Sequence, residues 1–173
     1  SKFVRIAVDG TTLLKADNPI FGAKRTINHV LFQAKTNWFN RRVQLVYGVR
    51  IDDYSDVGSH VSPRLGGVFS ITNECTSKLL YGHAFRAPTA IESIERTDSV
   101  GGVLGNKDIK PEVIDTIEWV NIFHGLDYTI ESVIFASLWE EGIILVPVDS
   151  VINQYQNTGK NRSYGFELSV RKQ

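Results

Sequence analysis

Apolar residues recur at every second position, in segment after segment, and this limits the chain to strands. Val43, Leu45, Tyr47, Val49 and Ile51 fall on one face of an extended run, opposed by Gln44, Val46, Gly48, Arg50 and Asp52. Val30, Phe32, Ala34, Thr36 and Trp38 oppose His29, Leu31, Gln33, Lys35 and Asn37. The pattern returns with Val61, Pro63, Leu65, Gly67 and Phe69 against Ser62, Arg64, Gly66, Val68 and Ser70, and with Tyr164, Phe166, Leu168 and Val170 against Gly165, Glu167, Ser169 and Arg171. A period of two is the signature of a half-buried strand. It predicts an all-β fold, an antiparallel up-and-down meander of about eight strands near 2–8, 26–38, 43–53, 61–71, 77–87, 113–123, 128–139 and 164–171.

Two settings produce this alternation. A soluble antiparallel sheet rests one face on a core and turns the other to water. A transmembrane barrel turns the apolar face to lipid and the polar face to a lumen, joining its strands by short turns at one end and longer loops at the other. The connections favour the barrel. Phe39–Arg42, Thr72–Cys75 and His124–Asp127 read as tight turns, whereas Asp53–His60, Pro88–Pro111 and Glu140–Ser163 read as long. Trp38, Phe39, Tyr47, Tyr54, Trp139 and Tyr164 near strand ends suit interfacial girdles. An Arg on the lipid face near the midplane costs about 2–4 kcal/mol, so a membrane setting requires the charged face to look inward. Leu31, Val46, Val68 and Leu80 fall against the pattern, and His83 shares the apolar face with Tyr81 and Phe85, which suits only an interface.

Composition excludes several other classes. The 19 basic and 19 acidic residues balance, so no field draws the chain to nucleic acid or an anionic surface. No run approaches the ~18 apolar residues of a spanning helix. Cys75 is alone, which rules out an internal disulfide or a cysteine-based zinc site. His29, His60, His83 and His124 lack the i,i+2 or i,i+4 companions of a preformed metal site, so no metal and no cofactor is expected. Ser, His and Asp residues show no nucleophile elbow, and Gly101-Gly102-Val103-Leu104-Gly105 lacks the following Lys-Ser/Thr of a phosphate cradle; it reads as a loop. Thr89–Arg96 can form a turn or two of helix, with Glu92 and Arg96 at i,i+4. The chain contains no methionine and no visible signal peptide, which suggests an excerpt of something longer.

Five short motifs occur in a fixed order. Tyr47-Gly48-Val49-Arg50-Ile51-Asp52-Asp53-Tyr54-Ser55 leads to Val61-Ser62-Pro63-Arg64-Leu65-Gly66; then come Leu80-Tyr81-Gly82-His83-Ala84-Phe85-Arg86-Ala87-Pro88, Gly105-Asn106 with Ile109-Lys110-Pro111-Glu112 and Glu118, and Tyr155-Gln156-Asn157-Thr158-Gly159 with Tyr164-Gly165-Phe166-Glu167-Leu168. Together they resemble the barrel of TonB-dependent outer-membrane receptors, over about Arg25 to the end. The matching positions are Pro63, Phe85, Pro88, Pro111, Glu112, Asn157 and Gly165.

The resemblance implies a large barrel with a plugged lumen in the outer membrane of a Gram-negative bacterium. It implies import of a scarce nutrient, such as a ferric siderophore, cobalamin or a sugar, energised by the TonB complex through an upstream segment. Residues 1–173 would form one partial barrel domain without the plug, in contact with lipid and lipopolysaccharide and not with nucleic acid. Haem is disfavoured as ligand: Lys107-Asp108-Ile109 follows Asn106 where haem receptors carry an NPNL box, and no His lies between Pro88 and Asn106.

On this reading Gln44, Arg50, Arg64, Arg86, Glu118 and Glu167 line the lumen, with Glu112, Glu118 and Glu167 as partners for the arginines. Asp53–Ser59, Thr89–Asn106 and Glu141–Arg162 face the ligand. Pro63, which cannot donate to a ladder, belongs near a strand start or at a bulge. A complete eight-stranded barrel with a structural or adhesion role is the alternative, and it requires the first strand to pair with the last. A soluble binding domain requires the apolar face to be covered.

Overall fold

The computed structural model describes residues 2–15, 24–93 and 103–172, with side chains from Arg25 onward. Nine strands form one sheet: β1 (Lys2–Lys15), β2 (Lys24–Trp38), β3 (Val43–Tyr54), β4 (Gly58–Ser70), β5 (Cys75–Arg86), β6 (Val103–Leu104), β7 (Glu112–His124), β8 (Tyr128–Pro147) and β9 (Asn153–Lys172). A single helical turn, α1 (Ala90–Ser93), follows β5. The order is β1-β2-β3-β4-β5-β7-β8-β9-β6. Every long strand is antiparallel to its neighbours, and the two residues of β6 run parallel to β9. Among the described strands β1 pairs with β2 alone and does not meet β9. The sheet is open, so the pairing required of a complete eight-stranded barrel is not present.

Short connections turn the chain at one end, which we call the turn end. At 39–42 the Arg42 amide donates to the Phe39 carbonyl at 3.0 Å. Asn40 and Arg41, the central pair, both have positive φ (53° and 70°). That is the twist of a primed hairpin turn, which matches the twist of its strands. At 71–74 the Thr72 hydroxyl accepts from the Glu74 and Cys75 amides at 3.1 and 2.9 Å. The His124 amide donates to the Glu74 carbonyl at 2.8 Å, which joins this turn to the next.

The other end differs from the expected long loops. Asp53–His60 is mostly strand: β3 and β4 are joined by residues 55–57 alone. Glu140–Ser163 is also mostly strand, because Ile143–Pro147 and Asn153–Asn157 continue the ladder past a bulge and leave only 148–152 as connection. The connection between β5 and β7 is the long one. It contains α1 and β6, so Val103–Leu104 is ladder rather than loop. Residues 94–96 of the expected helix, and Gly101–Gly102, lie outside the described residues.

The register assigns the faces. Pairs such as Arg50↔Ser62, Arg64↔Gly82, Leu80↔Glu118, Glu118↔Phe135 and Val133↔Glu167 carry one face from β3 to β9. Pairs such as Tyr47↔Leu65, Leu65↔Tyr81, Tyr81↔Ile117, Ala136↔Tyr164 and Ile134↔Phe166 carry the other. Most of the exposed large hydrophobic residues on the strands lie on the second face, with Leu65 52% and Phe166 62% exposed. No second layer packs on it among the described residues. Two expected girdle aromatics are on the opposite face: Tyr54 pairs with Ile27, and Trp139 pairs with Ile114.

Pro63 lies well inside β4, opposite Val49 of β3. The Ser70 amide donates toward β3, and amide direction alternates along a strand. Position 63 therefore directs its missing N–H toward β5. The β4–β5 ladder extends no further than Arg64↔Gly82. The proline stands where that seam ends.

Candidate functional site: a charged face and a rim junction

Gln44, Arg50, Arg64, Arg86, Glu118 and Glu167 come from five strands and share the charged face. The strand period puts them there, because the register is continuous from β3 to β9 below the bulge at Trp139. Their contacts differ from the expected network. Arg50 holds Asp52, two residues along its own strand, by Nε–Oδ2 and Nη2–Oδ1 bonds of 2.9 and 2.6 Å, and Asp52 is only 2% exposed. The Gln44 amide donates to Asn37 Oδ1 at 3.1 Å. Arg64, Glu118 and Glu167 have no hydrogen-bonding or ionic partner among the described residues. The reason is geometric: Glu118 stands across from Leu80 and Phe135, and Glu167 across from Val133, not from arginine. Leu31, Val46, Val68 and Leu80 join Arg50 and Arg64 around a hollow of about 400 Å³, which gives the inward apolar residues a common location.

Arg86 begins a junction at the end opposite the tight turns. Its Nε donates to Glu112, the facing residue of β7. Its Nη1 and Nη2 donate to Glu92 at 3.0 and 3.2 Å. Glu92 also accepts from the Thr89 amide at 2.6 Å, and Thr89 Oγ1 accepts from the Glu92 amide at 3.4 Å. This is a reciprocal capping box, and it fixes α1. Burial pushes the Glu92 carboxyl up, but the bonds from Arg86 and Thr89 outweigh it and hold the group below its ordinary range. The other oxygen of Glu112 accepts from the buried Ile143 amide at 2.8 Å. One carboxylate thus joins β5, β7 and the upper part of β8.

Asn157 makes the second link. Its Nδ2 donates to the carbonyls of Lys110 and Glu141 at 2.8 and 2.7 Å, and its Oδ1 accepts from the Lys110 amide at 2.7 Å. A side-chain amide carries a donor and an acceptor side by side, so it pairs with both backbone groups of Lys110 as a strand would. Asn106 adds a bond from Nδ2 to the Tyr155 carbonyl at 3.1 Å. The bulge below allows little change. A Cβ on Gly159 would sit 2.9 Å from Gly142 Cα and 2.9 Å from the Trp139 ring. Trp139 lies over two glycines, which explains its absence from the apolar face. Gly165 plays a similar part lower down, where a Cβ would meet the Phe135 ring at 2.7 Å.

Phe85 stacks against His60 at 4.6 Å and Tyr54 at 5.7 Å between centroids, filling the seam above Pro63. Arg25 binds Asp56 with contacts of 2.6–3.0 Å and donates to the carbonyl of the buried Pro88 at 2.6 Å. Phe85, Pro88, Glu112 and Asn157 therefore meet at this rim, and Pro111 lies between Lys110 and Glu112 within it. Pro63 and Gly165 lie apart, in the body of the sheet. Arg25 lay outside the expected site residues and segments; Asp56 and Glu92 fell within the expected ligand-facing segments and Asp52 on the expected charged face, but their partners were not read. The Thr-x-x-Glu spacing of a capping box was a readable signal for Glu92; the Arg25–Asp56 pair had none.

A family model described as TonB dependent receptor-like, beta-barrel, matches residues 7–173. The siderophore receptor PirA from Pseudomonas aeruginosa has a TM-score of 0.75 and 23% identity, over 84% of this chain and 28% of that one. A ferric enterobactin receptor mutant from Pseudomonas aeruginosa has a TM-score of 0.74 and 19% identity, over 84% and 24%. These two likenesses establish the fold alone. The iron-regulated outer membrane virulence protein of Vibrio cholerae serotype O1 is 38% identical over 72 residues, 40% of this chain and 11% of its own length. The chain spans well under a third of each of these proteins.

Proposed function

The chain belongs to the TonB-dependent receptor β-barrel family, and from that premise we propose that it is the barrel portion of an outer-membrane receptor that imports a ferric siderophore with energy from TonB. The family is one of transporters, so no bond in the ligand is made or broken. The relatives described above, an iron-regulated outer membrane protein and siderophore receptors, favour iron over cobalamin or sugar.

One observation carries the reading. On β9 the apolar face holds Tyr164, Phe166, Leu168 and Val170 between Arg162 and Lys172. Ten residues at ~3.3 Å rise and ~40° tilt give roughly 25 Å, the height of the apolar band of a membrane barrel. Bands on neighbouring strands stop at Asp53, Asp115 and Glu140 on the same side. Gln44, Arg50, Arg64, Arg86, Glu118 and Glu167 then line the lumen. The rim junction ties the β5–β7 connection to the β8–β9 hairpin, so two ligand-facing segments are held as one unit above the membrane. A plug supplied by other parts of the receptor would shift when TonB pulls, and the ligand would pass along the charged face.

The test is uptake of radio-iron as ferric siderophore by cells with and without the full-length protein. The expected result is uptake that needs the protein and disappears when TonB is removed. Uptake that persists without TonB contradicts the proposal.

A further inference from the structure

Two cavities meet on the charged face at one group of residues. The hollow of about 400 Å³ is walled by Leu31, Val46, Val68 and Leu80 and reaches Arg50, Ser62 and Arg64. A smaller cavity of about 180 Å³ shares those three and opens toward Tyr54 and Phe85, in the seam where the β4–β5 ladder has ended at Arg64↔Gly82. The wall itself makes both. β2, β3, β4 and β5 each have a strand on either side. Gly48 and Gly66 lie in the larger hollow, where a Cβ would stand 2.9 Å from the Phe32 carbonyl oxygen and 3.2 Å from Leu80. Bare backbone beneath aliphatic side chains leaves the space.

Ser62 is the telling residue. It is only 7% exposed, it faces both cavities, and its hydroxyl has no hydrogen-bonding partner among the described residues. A buried hydroxyl without a partner is costly. Arg50 stands across from Ser62 and is already held by Asp52. Arg64 is two residues along the same face, roughly 7 Å away, and has no hydrogen-bonding or ionic partner among the described residues. Two guanidiniums and one carboxylate leave one positive charge, on Arg64. Lys35 and Glu118 lie two strands to either side of it, each roughly 12 Å away, and offset each other. One negative charge therefore balances the group. A carboxylate suits it, since a guanidinium fork pairs with carboxylate oxygens and a hydroxyl can donate to one.

The hollow beside this charge selects the rest of the occupant. Its walls are mostly aliphatic, and its volume holds roughly a dozen water-sized groups. We propose that the wall binds one amphipathic monocarboxylate here, with the carboxylate on Arg64 and the Ser62 hydroxyl and the hydrocarbon tail in the hollow between Leu31, Val46, Val68 and Leu80. The site depends neither on TonB nor on the identity of the imported ligand.

The full-length protein in lipid nanodiscs is titrated by calorimetry with octanoate, octanol and acetate, and the heats of empty nanodiscs are subtracted. The carboxyl line of [1-13C]octanoate is followed by NMR in parallel. Octanoate should bind saturably at one site, and octanol and acetate at least about tenfold more weakly, because each lacks one half of the recognition. Arg64→Gln should weaken octanoate about tenfold, as expected for loss of a charge-assisted bond, and Arg64→Lys should restore part of the affinity. Val46→Trp should weaken it with both arginines in place, by filling the hollow. A heat-modifiable band on gels reports that each variant is folded. If folded Arg64→Gln and Val46→Trp bind octanoate as wild type does, the site is overturned. Equal binding of octanol or of acetate, or no octanoate binding by the wild type because other parts of the receptor fill the hollow, also overturns it. None of these results touches the transport proposal, which stands or falls on TonB-dependent iron uptake.

Discussion

Leu65, Ile117 and Phe166 on the apolar face could exchange places with little consequence; Asn157 at the rim could exchange with nothing. The apolar face is assembled largely by repetition, each aliphatic residue contributing area and none a specific partner. The rim is assembled from single groups with fixed directions: Glu112 joins three strands and Asn157 binds both backbone groups of one residue, Lys110. A face that meets a fluid needs only the right average character. A junction that holds loops in place needs particular atoms. Substitutions should therefore be judged by polarity on the face and by geometry at the rim.

The sharpest contrast places one charge on either face. Leu65→Arg, in the middle of the apolar band, should cost about 2–4 kcal/mol of folding in lipid. Leu80→Arg, on the charged face, should cost well under half of that. Urea unfolding in phospholipid vesicles, followed by heat-modifiable mobility, separates the two. Similar costs would erase the difference between the faces. Next comes Gly159→Ala, whose methyl would press on the Gly142 backbone and on Trp139. Overpacking of this kind costs about 1–3 kcal/mol, measured by the same assay.

Glu112→Ala leaves the buried Ile143 amide without its acceptor. The expected loss is about 1–2 kcal/mol, and the Arg86 ion pair adds little because the guanidinium is largely exposed. Hydrogen exchange at Ile143 should accelerate, and Glu112→Gln should restore most of the protection. Asn157→Ala should release the Lys110 segment at about 1 kcal/mol, read as faster proteolysis there without a change in global stability. The weakest effect is one of pH. Glu92 is held below its ordinary range in the folded protein, so its contribution is present above the ordinary glutamate value and fades as pH falls through the depressed one. Exchange around α1 should rise in that acidic window, and Glu92→Gln should flatten the dependence.

The strands and their faces were legible because each reports on itself: Val43 to Ile51 alternate whatever the rest of the chain does. The tight turns were legible for the same reason. The β8–β9 extension was not, since Glu141–Arg162 is rich in Asn, Gln and Gly, and the pairing that makes it strand lies across the hairpin. The rim motif positions could be recognised but not explained, because each acts on a residue far along the chain: Asn157 on Lys110, Glu112 on Arg86 and Ile143, and Pro88 on Arg25. Of the glutamates expected to partner the lumen arginines, Glu112 meets Arg86, its facing residue, whereas Glu118 and Glu167 meet none because the register sets Leu80, Phe135 and Val133 across from them.

Residue-by-residue spin labelling tests the arrangement of the faces most directly. Single cysteines are placed at Val49, Arg50, Arg64, Leu65, Phe166 and Glu167 of the full-length protein in lipid, with Cys75→Ser as background, and collision with oxygen and with a water-soluble nickel chelate is recorded. The account predicts oxygen access and nickel protection at 49, 65 and 166, and the reverse at 50, 64 and 167. Nickel access at 49, 65 and 166, or no alternation at all, would contradict it.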